Sequence, residues 1–487
     1  MRISELEQGV SELLKDCHLA INAGDLEFAG TLLLEAMTEK PDDIEGWLLL
    51  CRFLIDSGKA AFAYPVAMQM VRKKRSWRTL MILGAVQQHL QEPKKAVHTL
   101  KDALAIFPKD SPKENYAMIY RLLGNACVIN YNFDEAERYS KLSLDIESHH
   151  QAHTTYAYAK LHKRDYKQGF YHYQFGLGHQ PFRAKHDYGL PEWEGQKDAK
   201  LLVYGEQGLG DQIAFMSCCP VEPEQLICEP KLEDLFKQSF SNTKVYPTQY
   251  VKEFTHPVTS TYQTSMATMM QWAEVKRRKA YLQVNPDKNI MWKGLLDSIS
   301  DKPKIGIAWT GGRLGSDGWR TRALSLRELS PLFNLDCSFV SLQYRDDISD
   351  TNEFHKQTGT KIHRFPFGAQ SKNLEDVAAL VQNLDAVVCV PTTVYHLAGA
   401  LNTKAFVIVH STPHWHEGLK GDSPYWESVE FIRRKEMGVK KAVQVTVSKL
   451  EAFLKEKSCE STSESTPDSQ LHTTSYNGQL QEEQVNL

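Results

Sequence analysis

The chain has 487 residues, enough for roughly three domains at about 150 residues each, and its 42% hydrophobic and 24% charged composition is that of an ordinary globular protein. A formal net charge of -3 supplies no whole-chain field for nucleic acid or for an anionic membrane surface. The opening residues MRISELEQGVSELLKD carry acids and lack the apolar centre of a secretory signal, and no run approaches the ~18 apolar residues of a transmembrane helix. Nine cysteines with no C-x-x-C spacing read as reduced, mostly buried thiols of a cytoplasmic protein.

Residues 1–185 carry helical periodicity alone, recurring at about 34 residues. Turns fall near Gly24, Gly58, Gln91, Asn132 and Arg164, and four of these five are followed by a small-residue helix start (EFAG, AFAY, KKAV, DEAE). Between the third and fourth units, IFPKDSPKEN reads as an inserted connection. The segment resembles tetratricopeptide repeats, with the signature Trp, Gly and Tyr positions partly filled; the alternative is an irregular helical bundle. Five stacked helix pairs would form a solenoid whose concave face suits a protein partner.

The period changes near residue 196. Short β-rich runs (KLLVYG, EQLIC, KIGIAW, SFVSLQ, DAVVCV, KAFVIV) alternate with helical stretches such as LEDLFKQSF and NLEDVAALVQNL. Parallel sheets with crossover helices are the consequence. Two Rossmann-like α/β domains are expected, at 196–290 and 300–455, with ligand bound across the cleft between them at strand carboxyl ends. The charged stretch DKNIMWKGLLDSISDK links the two. Residues 458–487 are rich in Ser, Thr, Glu and Gln and are expected to form a disordered tail.

Three strand-to-helix junctions carry the candidate chemistry. In YGEQGLGDQIAF the order is G-x-x-G-x-G (Gly205, Gly208, Gly210), not the dinucleotide G-x-G-x-x-G, and Asp211 follows. Two roles stay open for Asp211: a cap on the helix N-terminus, or a cleft carboxylate that takes a proton from an acceptor hydroxyl. In IGIAWTGGRLGSDGWRTRALSL, Thr310, Gly311 and Gly312 allow close backbone approach to phosphate. Arg313, Arg320 and Arg322 follow and suit a diphosphate. In DAVVCVPTTVYHLAGALN, Pro391 and a Thr392 or Thr393 cap begin a helix that closes near Asn402, with His396 one turn in. His414 and His416 in STPHWHEG have strand-like spacing; without a third ligand nearby, aromatic stacking or loop structure outweighs a metal role. NLEDVAALVQNL needs no function, since Asn373 caps it while Leu374, Val377, Ala378, Val381 and Leu384 form a buried stripe.

VPTTVYHLAGALNTKAFVIV and GLGDQIAF resemble two segments of the family 9 glycosyltransferases, the heptosyltransferase-like group. The order of these motifs over residues 191–426 resembles that of bacterial or phage proteins joining tetratricopeptide repeats to such a transferase. The resemblance implies a two-domain GT-B fold and a nucleotide-sugar donor, used without a cofactor or catalytic metal and with inversion. No D-x-D metal clamp occurs in the sequence. It further implies Asp211 as catalytic base beside an acceptor-side loop of Gly208, Gly210 and Gln212. Thr310, Gly311, Gly312, Arg322, Gln343, Thr392, Thr393 and His396 would contact the donor, with His396 counted as catalytic too. Pro391 stands where the family commonly has aspartate, which leaves the sugar unnamed.

The expected function is therefore transfer of a sugar from a nucleotide sugar to a hydroxyl of a glycan or protein acceptor, with the repeats presenting the acceptor or a partner. Neither nucleic acid nor a transmembrane segment belongs to this picture. One rival is a non-catalytic repeat scaffold with a degenerate nucleotide-sugar-binding domain. A nucleotide-dependent epimerase or dehydrogenase is the other; the glycine order and the absence of a Tyr-x-x-x-Lys pair beside a dinucleotide turn argue against it.

Overall fold

The computed structural model describes residues 12–39, 43–179, 183–248, 254–311 and 322–463. Its first part is five antiparallel helix pairs: α1 (Glu12–Ala23) with α2 (Leu26–Glu39), α3 (Ile44–Asp56) with α4 (Ala60–Lys73), α5 (Trp77–His89) with α6 (Pro93–Ala105), α7 (Lys113–Ile129) with α8 (Phe133–Leu144), and α9 (His150–His162) with α10 (Tyr166–Tyr173). Every pair turns the same way. One residue adopts the left-handed conformation (Gly24, Gly58, Gln91, Tyr131 and Arg164 in order), and the next N–H donates back to the preceding helix, as Asp25 N to Ala20 O and Asp165 N to Lys160 O, both at 3.0 Å. Glycine adopts this conformation freely, whereas tyrosine or arginine there carries roughly 1–2 kcal/mol of strain. The fourth such residue is Tyr131, one before the expected Asn132, which instead caps α8 by accepting the Glu135 N–H at 3.3 Å. IFPKDSPKEN does separate the third and fourth pairs, between Ala105 and Lys113.

The second part contains two parallel sheets. The first has the order β3-β2-β1-β4, with β1 Leu201–Tyr204, β2 Gln225–Cys228, β3 Lys244–Pro247 and β4 Tyr262–Ser265. Its helices are α11 (Leu209–Ser217), α12 (Glu233–Ser239) and the short α13 (Met266–Met269), and α14 (Pro286–Asp297) leads to the second sheet. That sheet has the order β10-β9-β8-β5-β6-β7, with β5 Lys304–Ala308, β6 Ser338–Ser341, β7 Ile362–His363, β8 Ala386–Cys389, β9 Ala405–Val409 and β10 Val429–Arg433. Helices α15 (Ile348–Thr358), α16 (Pro366–Ala369), α17 (Leu374–Gln382), α18 (Thr393–Ala400) and α19 (Arg434–Ser463, broken at Gly438) surround it. Strand order reverses between β1 and β4 in one sheet and between β5 and β8 in the other. Ligands of open α/β sheets bind at such switch points.

All six β-runs picked out by composition are strands, because each is short, apolar and buried on both faces. Strand β4 (YQTS) has no such signal, and pairing with β1 makes it a strand. Asn373 caps α17 by accepting the Glu375 N–H at 2.8 Å, and the Leu374-to-Leu384 stripe is buried. Helix α19 runs through Ser463, six positions into the segment expected to be a tail from 458; the rest of that segment lies outside the described residues.

One hydrophobic core crosses all three units. Phe170 and Tyr173 of the last repeat pack with Phe215 of α11 and with Trp415, from the loop after β9. The Trp415 ring lies parallel to Phe215 with centroids 6.2 Å apart, and Phe170 meets it edge-on at 5.6 Å. The repeat stack is therefore built into the α/β half rather than hung beside it. Among the described residues no helix is long and apolar enough to cross a membrane.

Candidate active site

A cleft of about 550 Å³ opens at the carboxyl ends of β1, β6 and β8. Its two main walls are the N-termini of α11 and α18. They approach so closely that a Cβ on Gly210 would sit 3.1 Å from the His396 ring and 3.5 Å from the Thr393 backbone. Tyr281 fixes this meeting, its hydroxyl donating to Ile213 O (2.8 Å) and its N–H to Ala400 O (3.0 Å). Tyr158 and Tyr173 of the repeats, Arg183 and Lys231 line the cleft as well.

The geometry removes one of the two roles left open for Asp211, that of the helix cap. Gly208 is the N-cap of α11 and no side chain caps that end; Asp211 lies in the first turn. Its carboxylate instead accepts a hydrogen bond from His416 Nε2 at 2.7 Å. Burial pushes the Asp211 carboxyl up, but the hydrogen bond from His416, the largest of the opposing causes, outweighs it and holds the group at about 2. The side chain keeps 26% exposure, so a ligand can reach it. The helix end adds its own favourable field.

On the opposite wall Thr392 is the cap, its hydroxyl oxygen accepting the Val394 N–H at 3.2 Å, and Thr393 begins the helix. Trp426 Nε1 donates to His396 Nδ1 at 3.2 Å. Burial, followed by the charge of His416, keeps the His396 ring well below its ordinary range and hence neutral. With Nδ1 accepting, the proton of the neutral ring sits on Nε2, which leaves His396 a hydrogen-bond donor. Cap and histidine together make an end that suits an anion.

Thr392, Thr393, His396, Arg322, Asp211, Gly208 and Gly210 all line the cleft. Thr310 and Gln343 do not: Gln343 Oε1 accepts the N–H groups of Trp309 (3.1 Å) and Thr310 (3.3 Å), and its Nε2 donates to the Thr310 hydroxyl. These two residues shape the end of β5 and have little left for a ligand. Gly311 is spent on packing, since a Cβ there would lie 2.3 Å from Thr392 Cγ2. Gln212 stitches its own loop, donating to Gln207 O (2.8 Å) and accepting the Glu229 N–H (3.0 Å). Gly312, Arg313 and Arg320 lie outside the described residues.

The sequence reading singled out His414 and His416 in the loop after β9, where His416 stacks on Trp415, but missed the loop's meeting with Asp211 and the part of Glu417. His416 reaches Asp211 across 205 positions of chain, and Glu417 accepts from the Tyr395 hydroxyl (2.9 Å) and the His414 N–H (2.9 Å). Burial raises the Glu417 carboxyl. Among the described residues no three His, Cys, Asp or Glu side chains are placed to hold a metal ion. His416 donates to Asp211 and stacks on Trp415. The signal available in STPHWHEG was two histidines and an acid around a buried tryptophan. Arg322 Nε and His416 Nδ1 are buried without a protein partner, which is what a polar ligand site leaves open.

No family model matches the chain. Protein FlbA of Caulobacter vibrioides is a distant relative, 26% identical over 275 residues that make up 51% of this chain and 46% of FlbA. Tetratricopeptide repeat protein 21B of Mus musculus is 26% identical over 132 residues, 27% of this chain and 10% of its own length. The chain thus spans less than half of either relative. Among solved structures, a tetratricopeptide protein of Thermus thermophilus is similar at 22% identity and TM-score 0.31, over 35% of this chain and 90% of that one. The pilF protein of Pseudomonas aeruginosa is similar at 15% identity and TM-score 0.30, over 36% and 77%. At those scores the two structures add no argument about function. The chain is a tetratricopeptide-like helical stack followed by two parallel α/β sheets.

Proposed function

We propose that this chain is a glycosyltransferase of GT-B architecture that moves a sugar from a nucleotide-sugar donor to a hydroxyl of a glycan or protein acceptor. One observation carries the reading. An ionised carboxylate, Asp211, faces across a single cleft a helix end that offers hydrogen-bond donors, with a neutral His396 among them. In the reaction so read, the acceptor hydroxyl passes its proton to Asp211 as its oxygen bonds to the anomeric carbon. The bond from that carbon to the diphosphate breaks, and the electron pair leaves with the diphosphate. The N–H groups of α18, the hydroxyls of Thr392 and Thr393, His396 Nε2–H and Arg322 meet that charge, a contribution largest where water is excluded. Attack opposite the leaving group inverts the anomeric centre. A reducing cytoplasmic setting agrees with the buried thiols of Cys17, Cys51, Cys127, Cys218, Cys228 and Cys389.

A thermal-shift series with UDP-, GDP-, ADP- and dTDP-sugars, followed by product detection, tests the reading. One donor class should raise the melting temperature by several degrees. Asp211→Asn should retain that shift and lose about 100- to 10,000-fold in turnover, the usual worth of a positioned base. Equal turnover in both proteins removes Asp211 from the base role. A second reading, a repeat scaffold whose α/β half only binds the nucleotide, draws support from the low basicity of Asp211 and from Pro391 in place of the family's aspartate. Binding without turnover in the wild type selects it.

A further inference from the structure

The loop that brings His414, His416 and Glu417 into the cleft, residues 411–422, is gripped from two sides. Arg433, at the end of β10, donates to the carbonyls of Glu417 (2.9 Å), Gly418 (2.8 Å) and Gly421 (2.7 Å). The other grip comes from the turns of the last two repeats. The Tyr131 hydroxyl donates to Pro413 O at 3.1 Å, His162 Nε2 lies 3.3 Å from the same oxygen, and Arg164 donates to Asp422 O. Gly418 and Gly421 stand at φ 59° and 76°. A Cβ on Gly421 would meet the Arg164 guanidinium at 3.2 Å, so the loop bends around that side chain. Leu419 packs against the repeat core to which Phe133 and Ala159 belong.

Two of these grips stand at the left-handed position of their repeat. The first two repeats fill it with Gly24 and Gly58, where an added Cβ would meet nothing within 4 Å, while the last two place Tyr131 and Arg164 there. The third repeat places Gln91 at this position, so three units carry a costly residue type, and in the last two the side chain ends on a carbonyl of the cleft loop. Strain kept at a contact of this kind points to a role for the contact.

We infer that Tyr131 and Arg164 are positioning residues of the cleft: the repeat stack holds loop 411–422 so that His416 meets Asp211. The inference rests on the proposed role of Asp211, but its physical part needs no substrate. Arg164→Gly removes one grip while matching the residue that the first two repeats use at a position glycine adopts freely. Tyr131→Phe removes only the hydroxyl, and Gln91→Gly alters a turn with no contact to the loop. Hydrogen exchange of the full chain is the first readout. Exchange across 411–422 should rise about tenfold in Arg164→Gly, the scale of one lost hydrogen bond to a charged group, and stay at the wild-type rate in Gln91→Gly.

The pH dependence of turnover is the second readout. Asp211 deprived of a steady His416 partner moves up toward the ordinary carboxylate range. The acid limb of the profile should then shift to higher pH in Arg164→Gly, with the donor KM unchanged. Unchanged exchange in 411–422 overturns the inference, and so does a loosened loop with an unmoved profile. If no donor turns over in the wild type, the proposed function fails separately, and the exchange comparison alone decides whether the repeats hold the loop.

Discussion

Leu14 in the first repeat and Trp415 in the cleft loop are both almost fully buried, yet they bury against different kinds of neighbour. Leu14 packs with Cys17, Ile21, Leu33 and Leu49, all from the first three helices. Trp415 packs with Phe170, Tyr173 and Phe215, drawn from the last repeat and from the first sheet's leading helix. A stack whose units touch only their neighbours can lose an end without losing the rest. A junction of three units has no such end, and the candidate site lies on the junction.

Substitutions at these two places separate the regions most sharply. Trp415→Ala should cost about 3–5 kcal/mol and lower cleft ligand binding and melting temperature together. Leu14→Ala should cost about 2–5 kcal/mol locally, seen as faster hydrogen exchange in α1 to α3 while the cleft still binds donor. If Leu14→Ala abolished donor binding, the two regions would be one cooperative unit.

Glycines sharpen the same contrast on a smaller scale. A Cβ on Gly399 would lie 2.2 Å from Trp426 Cγ, and Trp426 orients His396. Gly399→Ala is expected to destabilise by about 1–3 kcal/mol as an overpacked core position, and to weaken donor binding as well. Gly24 has open space but φ of 80°, so Gly24→Ala should cost about 1–2 kcal/mol from backbone strain alone and leave the cleft untouched. Chemical denaturation with a donor-binding assay on each variant distinguishes them.

Acid should weaken both regions in one window, since burial lowers His396 and His414 of the cleft as it lowers histidines of the repeats. Burial is the first cause that lowers both His149 and His172 to about 4, with Arg121 adding to the first and His153 to the second. The unfolded chain takes up these protons near the ordinary 6.5, so the stability they carry is complete above that pH and declines as pH falls toward 4. Asp211, at about 2 against 3.8, keeps its contribution above pH 3.8 and loses it only below. Melting curves should therefore fall between pH 6.5 and 4 before the Asp211 contribution begins to fade, and His172→Gln should flatten the first decline.

Much of this was legible in the chain itself. The five repeat turns were readable because a left-handed residue after a helix is a local requirement, met by Gly24 and Gly58 in the open. Tyr131 escaped by one position because no local preference marks a tyrosine for that conformation. At α18, Pro391, Thr392 and His396 could be placed from spacing, since cap and helix face are set within one turn. Thr310 and Gln343 were legible as neighbours of a strand end, but not as partners of each other. That pairing depends on β5 lying beside β6, which no local pattern records.

Helices, strands, caps and the change from a repeat period to an α/β alternation follow from contacts among near neighbours, and the order of residues is enough to specify them. That Asp211 lines a cleft and does not cap its helix emerges only in three dimensions. A cap and a cleft carboxylate share the same local sequence, and they differ only in what lies opposite. Here that is His416, carried on a loop 205 positions away and held by two repeat turns whose side chains reach it only once the stack has closed against the sheets.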